Sequence, residues 1–207
     1  MGVTYTNITL KGPSQDQVGD FLDRENIVAH VTPTEGDITV VYDQASSDSD
    51  EAALTTLAGK LSRSLGCVAL ASSVYDSDIF QYHLYLSGGL ASEYNSCPDC
   101  WDDETDEIAA PAGGDAEKLC DALGVTDNAL QVSKILRLYD SDPFGENAPS
   151  GEDKEDAYVF EEHRHAALVG ALSLPSYVAY TGFRSSRGSG ATASRSRATM
   201  RRTGPPT

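Results

Sequence analysis

The 207-residue chain carries 32 acidic and 15 basic side chains, which gives a formal net charge of −17. A body this acidic should repel nucleic acid and anionic membranes, because binding to either depends on neutralising phosphates. Hydrophobic residues make up 40% of the chain and fall in periodic runs, which excludes a globally disordered protein. No run approaches the roughly 18 consecutive apolar residues of a membrane span. The polar N-terminus does not resemble a secretory signal, so we expect a cytoplasmic protein.

Positive charge is concentrated at the C-terminal end of the chain. Residues 184–207 contain six arginines and no acid, and they are rich in Ser, Gly and Thr with almost no hydrophobic side chains. This composition predicts a disordered tail. We therefore expect one acidic domain over residues 1–183 and a disordered basic tail over 184–207. The arginines could contact nucleic acid or an acidic protein, fold back over the body, or be functionally inert.

The N-terminal part of the chain predicts alternating strands and helices. Residues 3–10 are rich in β-branched and aromatic side chains, which is typical of a strand. Ser14 and Gln17 form a capping box, and the apolar spacing that follows predicts a helix over residues 14–25. Two further strands are predicted over residues 27–32 and 38–42, separated by a loop of hairpin length that contains glycine.

The second helix is the most regular in the sequence. Asp48 and Glu51 indicate its start, Leu and Ala recur at helical spacing, and Gly66 fits the position just beyond its end. Two strands then follow, over residues 67–75 and 79–86. The first of these is a nearly continuous apolar run, as expected for a strand that is buried on both faces.

The first 86 residues thus predict the order β-α-β-β-α-β-β. This order predicts the α+β class, with a mixed or antiparallel sheet and helices packed on one of its faces. It resembles the split βαβ, ferredoxin-like arrangement with an added strand. The resemblance concerns topology alone and implies no function, because that fold supports many unrelated ones.

The remaining part of the body predicts loops and helices. Two long acidic loops are expected, over residues 87–114 and 140–153. Helices are predicted over residues 115–123, 127–138 and 154–172, and a final strand over residues 176–183.

The first long loop contains a dense run of carboxylates. The excess of acid has two interpretations: a general bias of composition that favours solubility, or an acidic face that meets a basic partner. On the second interpretation the protein is non-catalytic and binds a basic protein, and electrostatic steering makes the association sensitive to salt. The residues expected to attract that partner are Asp102, Asp103, Glu104, Asp106 and Glu107.

Cys97 and Cys100 are separated by Pro-Asp. This four-residue segment has the most distinct chemistry in the sequence. Two thiols at this spacing can form a turn, share a disulfide or supply two zinc ligands. The four residues resemble the active site of thioredoxin-related proteins, but the acidic run that follows should raise the pKa of a thiol rather than lower it. No cofactor is expected, and zinc on these two cysteines is the alternative, as part of a metal-binding or redox enzyme. Cys67 and Cys120 are expected in the core, and a disulfide scaffold is not expected in a chain of this size.

Two further groups of residues need an interpretation. His163 and His165 are two positions apart on a predicted helix, so they point in different directions and cannot chelate one ion. Together with the neighbouring Glu and Arg they predict a solvent-exposed charged face. A third functional alternative is a small-molecule binder that uses the rings of Tyr75, Tyr82 and Tyr85.

Overall fold

The computed structural model describes residues 2–100, 109–137, 158, 160–187 and 194–195. The strands in these parts of the chain are β1 (Tyr5–Lys11), β2 (Ala29–Val31), β3 (Ile38–Asp43), β4 (Val68–Tyr75), β5 (Ile79–Leu86), β6 (Gly89–Asn95), β7 (Ala112–Gly113) and β8 (Ser194–Arg195). The helices are α1 (Gln15–Arg24), α2 (Glu51–Leu65), α3 (Ala116–Leu123), α4 (Ala129–Arg137) and α5 (Glu161–Ala171).

The strands form one sheet in the order β7-β6-β5-β4-β1-β3-β2-β8, and every neighbouring pair is antiparallel. The four central strands β4-β1-β3-β2, joined through α1 and α2, form the split βαβ arrangement in which β3 lies between β1 and β2. The predicted α+β class and the antiparallel sheet are therefore confirmed. The expected extra strand is β5, and β6 and β7 extend the sheet beyond it.

Local capping interactions explain where the first two helices begin and end. Ser14 and Gln17 form the predicted capping box at the start of α1. Helix α2 is capped by Asp50, whose side chain accepts a hydrogen bond from Ala53 N at 2.9 Å. Asp48 instead forms an ion pair with Arg184. The helix ends at Gly66, which has a φ of 62°, the left-handed conformation that glycine adopts without strain.

Helices cover both faces of the sheet. On the first face α1 and α2 bury apolar residues of β1, β3 and β4. On the second face α3, α4 and α5 pack on a core that includes Leu70, Phe80, Tyr82 and Tyr94. The N-terminal helices thus lie on one face as predicted, and the C-terminal helices occupy the opposite one. Strands that are apolar on both sides require such cover, since either bare face would expose a large hydrophobic surface.

The prediction of a loop over residues 87–114 is wrong for Gly89–Asn95, which form β6. Ser, Glu and Asn in this segment weaken its apolar alternation, so the sequence pattern missed the strand. A two-residue turn connects it to β5, and both turn residues have positive φ, 51° at Ser87 and 84° at Gly88. A Cβ at position 88 would lie 2.5 Å from Arg63 Cβ, so the turn requires glycine there. The second predicted loop, over residues 140–153, lies outside the described residues.

The prediction of a strand over residues 176–183 is also wrong. The chain forms a 3-10 turn at Ser176–Val178 and then crosses the second face of the sheet, with Tyr180 at a φ of 63°. Asn7 Nδ2 donates a hydrogen bond to Val178 O at 2.8 Å and so holds the segment against β1. A positive φ interrupts the extended backbone that a strand needs, and polar side chains of the sheet satisfy the backbone instead.

Part of the predicted disordered tail packs on the body. Ser186 is 4% exposed, and its hydroxyl lies 2.7 Å from His30 Nδ1. Further along, β8 pairs with β2 at the edge of the sheet. The packed chain therefore extends beyond residue 183, where the composition changes, at least as far as Ser186. Residues 188–193 and 196–207 lie outside the described residues.

Two truncations test this boundary. A chain that ends at residue 183 should lose about 1–3 kcal/mol in free energy of unfolding, because the buried hydrogen bond between Ser186 and His30 is removed. A chain that ends at residue 187 keeps that bond and lacks only the short pairing of β8 with β2, so it should be the more stable of the two truncated chains. Urea unfolding measures both values, and equal stabilities of the two truncated chains would contradict the assigned boundary.

Candidate functional site

A groove of about 770 Å³ lies beside β6, at the edge of the sheet that carries β7. Its walls come from three neighbouring parts of the chain: β6, the connection from β7 into α3, and the first two turns of α4. Leu130 on α4 lies in this lining and is 74% exposed. The residues that line the groove are Ala91, Ser92, Glu93, Gly113, Gly114, Asp115, Ala116, Glu117, Ala129, Leu130 and Ser133.

Two carboxylates, Asp115 and Glu117, border the groove. Asp115 caps α3, and hydrogen bonds from the backbone and side chain of Lys118 hold its pKa below the ordinary value. It is therefore ionised at neutral pH. Glu117 is exposed, whereas the side chain of Glu93 lies 4.0 Å from His83 Nε2, on the face of the sheet that α2 covers.

The cations beside the groove are held by the protein itself. Lys118 Nζ lies 3.1 Å from Asp115 Oδ2 and donates a hydrogen bond to Ala91 O at the same distance. Arg137 donates hydrogen bonds to Pro111 O and Gly114 O. Both side chains thus support the walls, and Glu117 keeps oxygens that can meet a cationic ligand.

The five acids predicted to attract a basic partner lie outside the described residues. Asp102, Asp103, Glu104, Asp106 and Glu107 belong to the connection between β6 and β7. Both of these strands contribute to the groove or its edge, through Ala91–Glu93 on one side and Gly113 on the other. The groove and the predicted acidic run are therefore neighbours along the chain.

Cys97 and Cys100 form a disulfide with Cα atoms 5.5 Å apart. The pair follows β6 directly, and Cys97 N donates a hydrogen bond to Asn95 Oδ1 at 2.9 Å. Cys97 is half-buried and Cys100 is exposed. Among the described residues no group of three or more His, Cys, Asp and Glu side chains could hold a metal ion, so zinc on this pair stays a prediction.

The segment Glu161–His165, predicted as a solvent-exposed charged face, is largely buried. Arg164 is 2% exposed: its Nε lies 2.8 Å from Glu161 Oε2, and its Nη1 donates a hydrogen bond to Ile135 O at 2.6 Å. The guanidinium carbon also lies 5.1 Å from the ring centre of Tyr158. Burial raises the pKa of Glu161, and Arg164 acts in the opposite direction. The prediction of a solvent-exposed charged face was therefore wrong, because Arg164 and Glu161 are buried and paired with each other.

The same helix attaches to the turn between β4 and β5. Glu161 N donates a hydrogen bond to Ser77 O at 2.9 Å, and Ser77 Oγ donates one to Glu162 Oε1 at 3.1 Å. Asp76 and Ser77 both have positive φ, 46° and 66°. This strained turn also holds the N-terminal segment, since Ser77 bonds to the backbone of Val3 through both its amide and its hydroxyl. The turn is therefore a structural junction between the N-terminus and α5.

His165 is enclosed by aromatic rings and is uncharged. Its Nδ1 lies 2.9 Å from the Tyr5 hydroxyl, and its ring stacks on Phe80 with centres 4.9 Å apart. Burial lowers its pKa to about 3. Its neighbour His163 is exposed and contacts Phe160 edge to face at 5.7 Å. The two histidines thus point apart, as their spacing predicts.

The three tyrosines of the small-molecule hypothesis do not line a common pocket. Tyr82 is completely buried in the second core, where it stacks on Tyr94. Tyr85 points to the opposite face and packs against Gly59 of α2, and Tyr75 is 41% exposed. Alternation along β5 places the first two rings on opposite faces of the sheet.

Comparisons with known proteins add no assignment. The chain matches no protein-family model, no curated protein and no solved structure. Within the described parts of the chain, every helix is too short or too polar to cross a bilayer. The groove was not found from the sequence because most of its residues are small or acidic and come from three separate segments.

Proposed function

We propose that the protein is a non-catalytic interaction protein whose acidic groove binds a basic segment of a partner protein. The observation that carries this proposal is a groove of about 770 Å³ whose lining combines the carboxylates Asp115 and Glu117 with a leucine that is 74% exposed. A leucine on the wall of a groove offers an apolar contact, and charges on the rim select a partner of opposite sign.

The charge of the whole chain and the charge at the groove both support a basic partner. Over the whole chain a net charge of −17 attracts cationic surfaces and speeds their encounter. At the groove, Glu117 is exposed and can meet a lysine or arginine side chain. We also propose that the neighbouring acids Asp102, Asp103, Glu104, Asp106 and Glu107 extend this surface and that the interaction takes place in the cytoplasm.

The apolar contact distinguishes this proposal from general attraction between charges. Leu130 is the most exposed of the large hydrophobic side chains in the described part of the chain. A partner segment that combines cations with an apolar residue would cover Leu130 while its charges meet the rim. A segment with the same charge but no apolar residue should bind more weakly.

A defined probe tests the proposal without knowledge of the natural partner. A labelled peptide of alternating lysine and leucine is titrated with the full chain and followed by fluorescence anisotropy. The variant Glu117→Gln should weaken binding by roughly 3–5-fold at low salt, and physiological salt should weaken binding by the unchanged chain.

The matched control removes one carboxylate elsewhere. Asp23 is exposed on α1, which packs on the opposite face of the sheet, and Asp23→Asn alters the net charge by the same amount. This control should change the affinity less than about twofold. Equal losses from the two variants would show that only net charge matters, and binding that does not respond to salt would refute the proposed role.

A further inference from the structure

Four cysteines are present, and the structure divides them into two classes. Cys67 is buried in the first core and Cys120 in the second, and burial raises the pKa of both thiols, that of Cys67 to about 11. Cys97 and Cys100 form a disulfide at the surface, with Cys100 exposed. Because buried thiols with raised pKa react slowly, thiol chemistry in this chain is confined to the surface pair.

The disulfide contributes little to holding the fold together. It joins residues only three positions apart, and a cross-link restricts the unfolded chain less as the loop it closes becomes shorter. The strands and helices around it already bury two hydrophobic cores without any cross-link between them. A short, exposed disulfide of this kind is suited to being opened and closed rather than to stabilising a domain.

The position of the pair connects it to the acidic part of the molecule. Cys97 is anchored through its amide to Asn95, and the preceding Ser96 bonds to both the amide and the carbonyl of Phe80 in the second core. Cys100 lies at the other end of the loop, next to the segment that carries the predicted acids. Cys97 is thus held through its backbone at the end of the sheet, and Cys100 is exposed at the start of the acidic connection.

We propose that Cys97 and Cys100 act as a dithiol–disulfide couple that exchanges with external dithiols, and that Cys100 is the sulfur attacked. A thiolate of the external dithiol attacks Cys100 Sγ, the bond to Cys97 breaks, and the Cys97 sulfur leaves with the electron pair and takes up a proton. The second thiolate of the external dithiol then attacks the sulfur of the mixed disulfide that belongs to the external dithiol. The Cys100 sulfur leaves with the electron pair and takes up a proton. The pair gains two electrons and two protons, and the external dithiol becomes a disulfide.

The surrounding negative charge selects among thiol reagents. Asp99 lies within the loop, and the whole chain has a charge of −17. The thiolate of glutathione carries more negative charge than the thiolate of dithiothreitol, because glutathione also has carboxylates, and it is repelled more strongly from this surface. A natural dithiol partner should therefore present a basic surface around its reactive sulfur, and this expectation does not depend on the groove.

Labelling of the folded chain tests accessibility. After treatment with dithiothreitol without denaturant, iodoacetamide should add two labels, at Cys97 and Cys100, and leave Cys67 and Cys120 unmodified until the chain is unfolded. Without reductant no cysteine should be labelled. Labels at Cys97 and Cys100 without reductant, or none at these positions until denaturation, would overturn the proposal.

Two single variants test which sulfur is more accessible. With oxidised glutathione, Cys100 in the Cys97→Ser variant should form a mixed disulfide at least about tenfold faster than Cys97 in the Cys100→Ser variant, because exposure controls access. Equal rates in the two variants would contradict the proposed order of attack.

The response to salt tests the selection by charge. Reduction of the unchanged chain by glutathione should accelerate with added salt more than reduction by dithiothreitol does. The same salt response for both reagents would contradict this selection. The groove variant Glu117→Gln should react with dithiothreitol at an unchanged rate, which separates this proposal from the groove.

Discussion

Replacing Arg164 by alanine should lower the free energy of unfolding by about 3–5 kcal/mol, the usual loss when one partner of a buried ion pair is removed. Arg164 is 2% exposed and interacts with Glu161 Oε2 and with Ile135 O. Its removal leaves a buried carboxylate without its cation and a carbonyl of α4 without its donor. Chemical denaturation followed by circular dichroism measures the change.

Two controls show whether burial is the cause. Arg184→Ala removes the same side chain from an exposed ion pair with Asp48 and should cost only about 0–1 kcal/mol. The double variant Arg164→Met and Glu161→Gln removes both charges and should recover much of the loss, since no unpaired charge then stays in the core. A loss below about 1 kcal/mol for Arg164→Ala would contradict the network described around α5.

His165 should make the protein less stable as the pH falls from 6.5 towards 3. Burial lowers the pKa of this histidine from 6.5 to about 3, so the unfolded chain takes up a proton over this range and the folded chain does not. The stability that depends on the uncharged histidine is complete above pH 6.5 and decreases as the pH falls. Below about pH 3 it changes no further. The slope is about 1.4 kcal/mol per pH unit, so about 2–3 kcal/mol is lost between pH 6.5 and 4.5.

Comparison with a His165→Gln variant isolates this effect from the carboxylates. Burial raises the pKa of Glu161, and an acid with a raised pKa gains stability as the pH falls, which opposes the histidine. The difference in unfolding free energy between the two proteins should therefore change with pH, although each curve alone contains both effects. Tyr5→Phe removes the hydroxyl beside Nδ1 but keeps the imidazole, and it should preserve the slope. Parallel curves for the unchanged protein and His165→Gln between pH 7 and 4.5 would rule out a neutral buried histidine.

The candidate site was predictable only in part. Net charge and the acidic run are properties of composition, so the expectation of a basic partner needs no structure. The groove itself depends on β6, which the sequence pattern missed because its polar residues conceal the alternation. Leu130 appears as one apolar residue of a helix in the sequence, and only the packing of α3 and α4 beside β6 leaves it exposed on the wall of a groove.

The amino-acid sequence by itself determined the order of strands and helices over the first 86 residues, the capping of α1 and the acidity of the chain. These features depend on hydrophobic periodicity, on capping over three or four residues and on composition, all of which are readable within a short window. Tertiary structure alone decided that Glu162, Arg164 and His165 are buried. Their partners Ile135, Ser77 and Tyr5 are contributed from distant parts of the chain, and the bonds Arg164–Ile135, Ser77–Glu162 and Tyr5–His165 span 29, 85 and 160 positions. A charged or polar side chain is buried only where such partners compensate its lost hydration, and no local pattern contains that information.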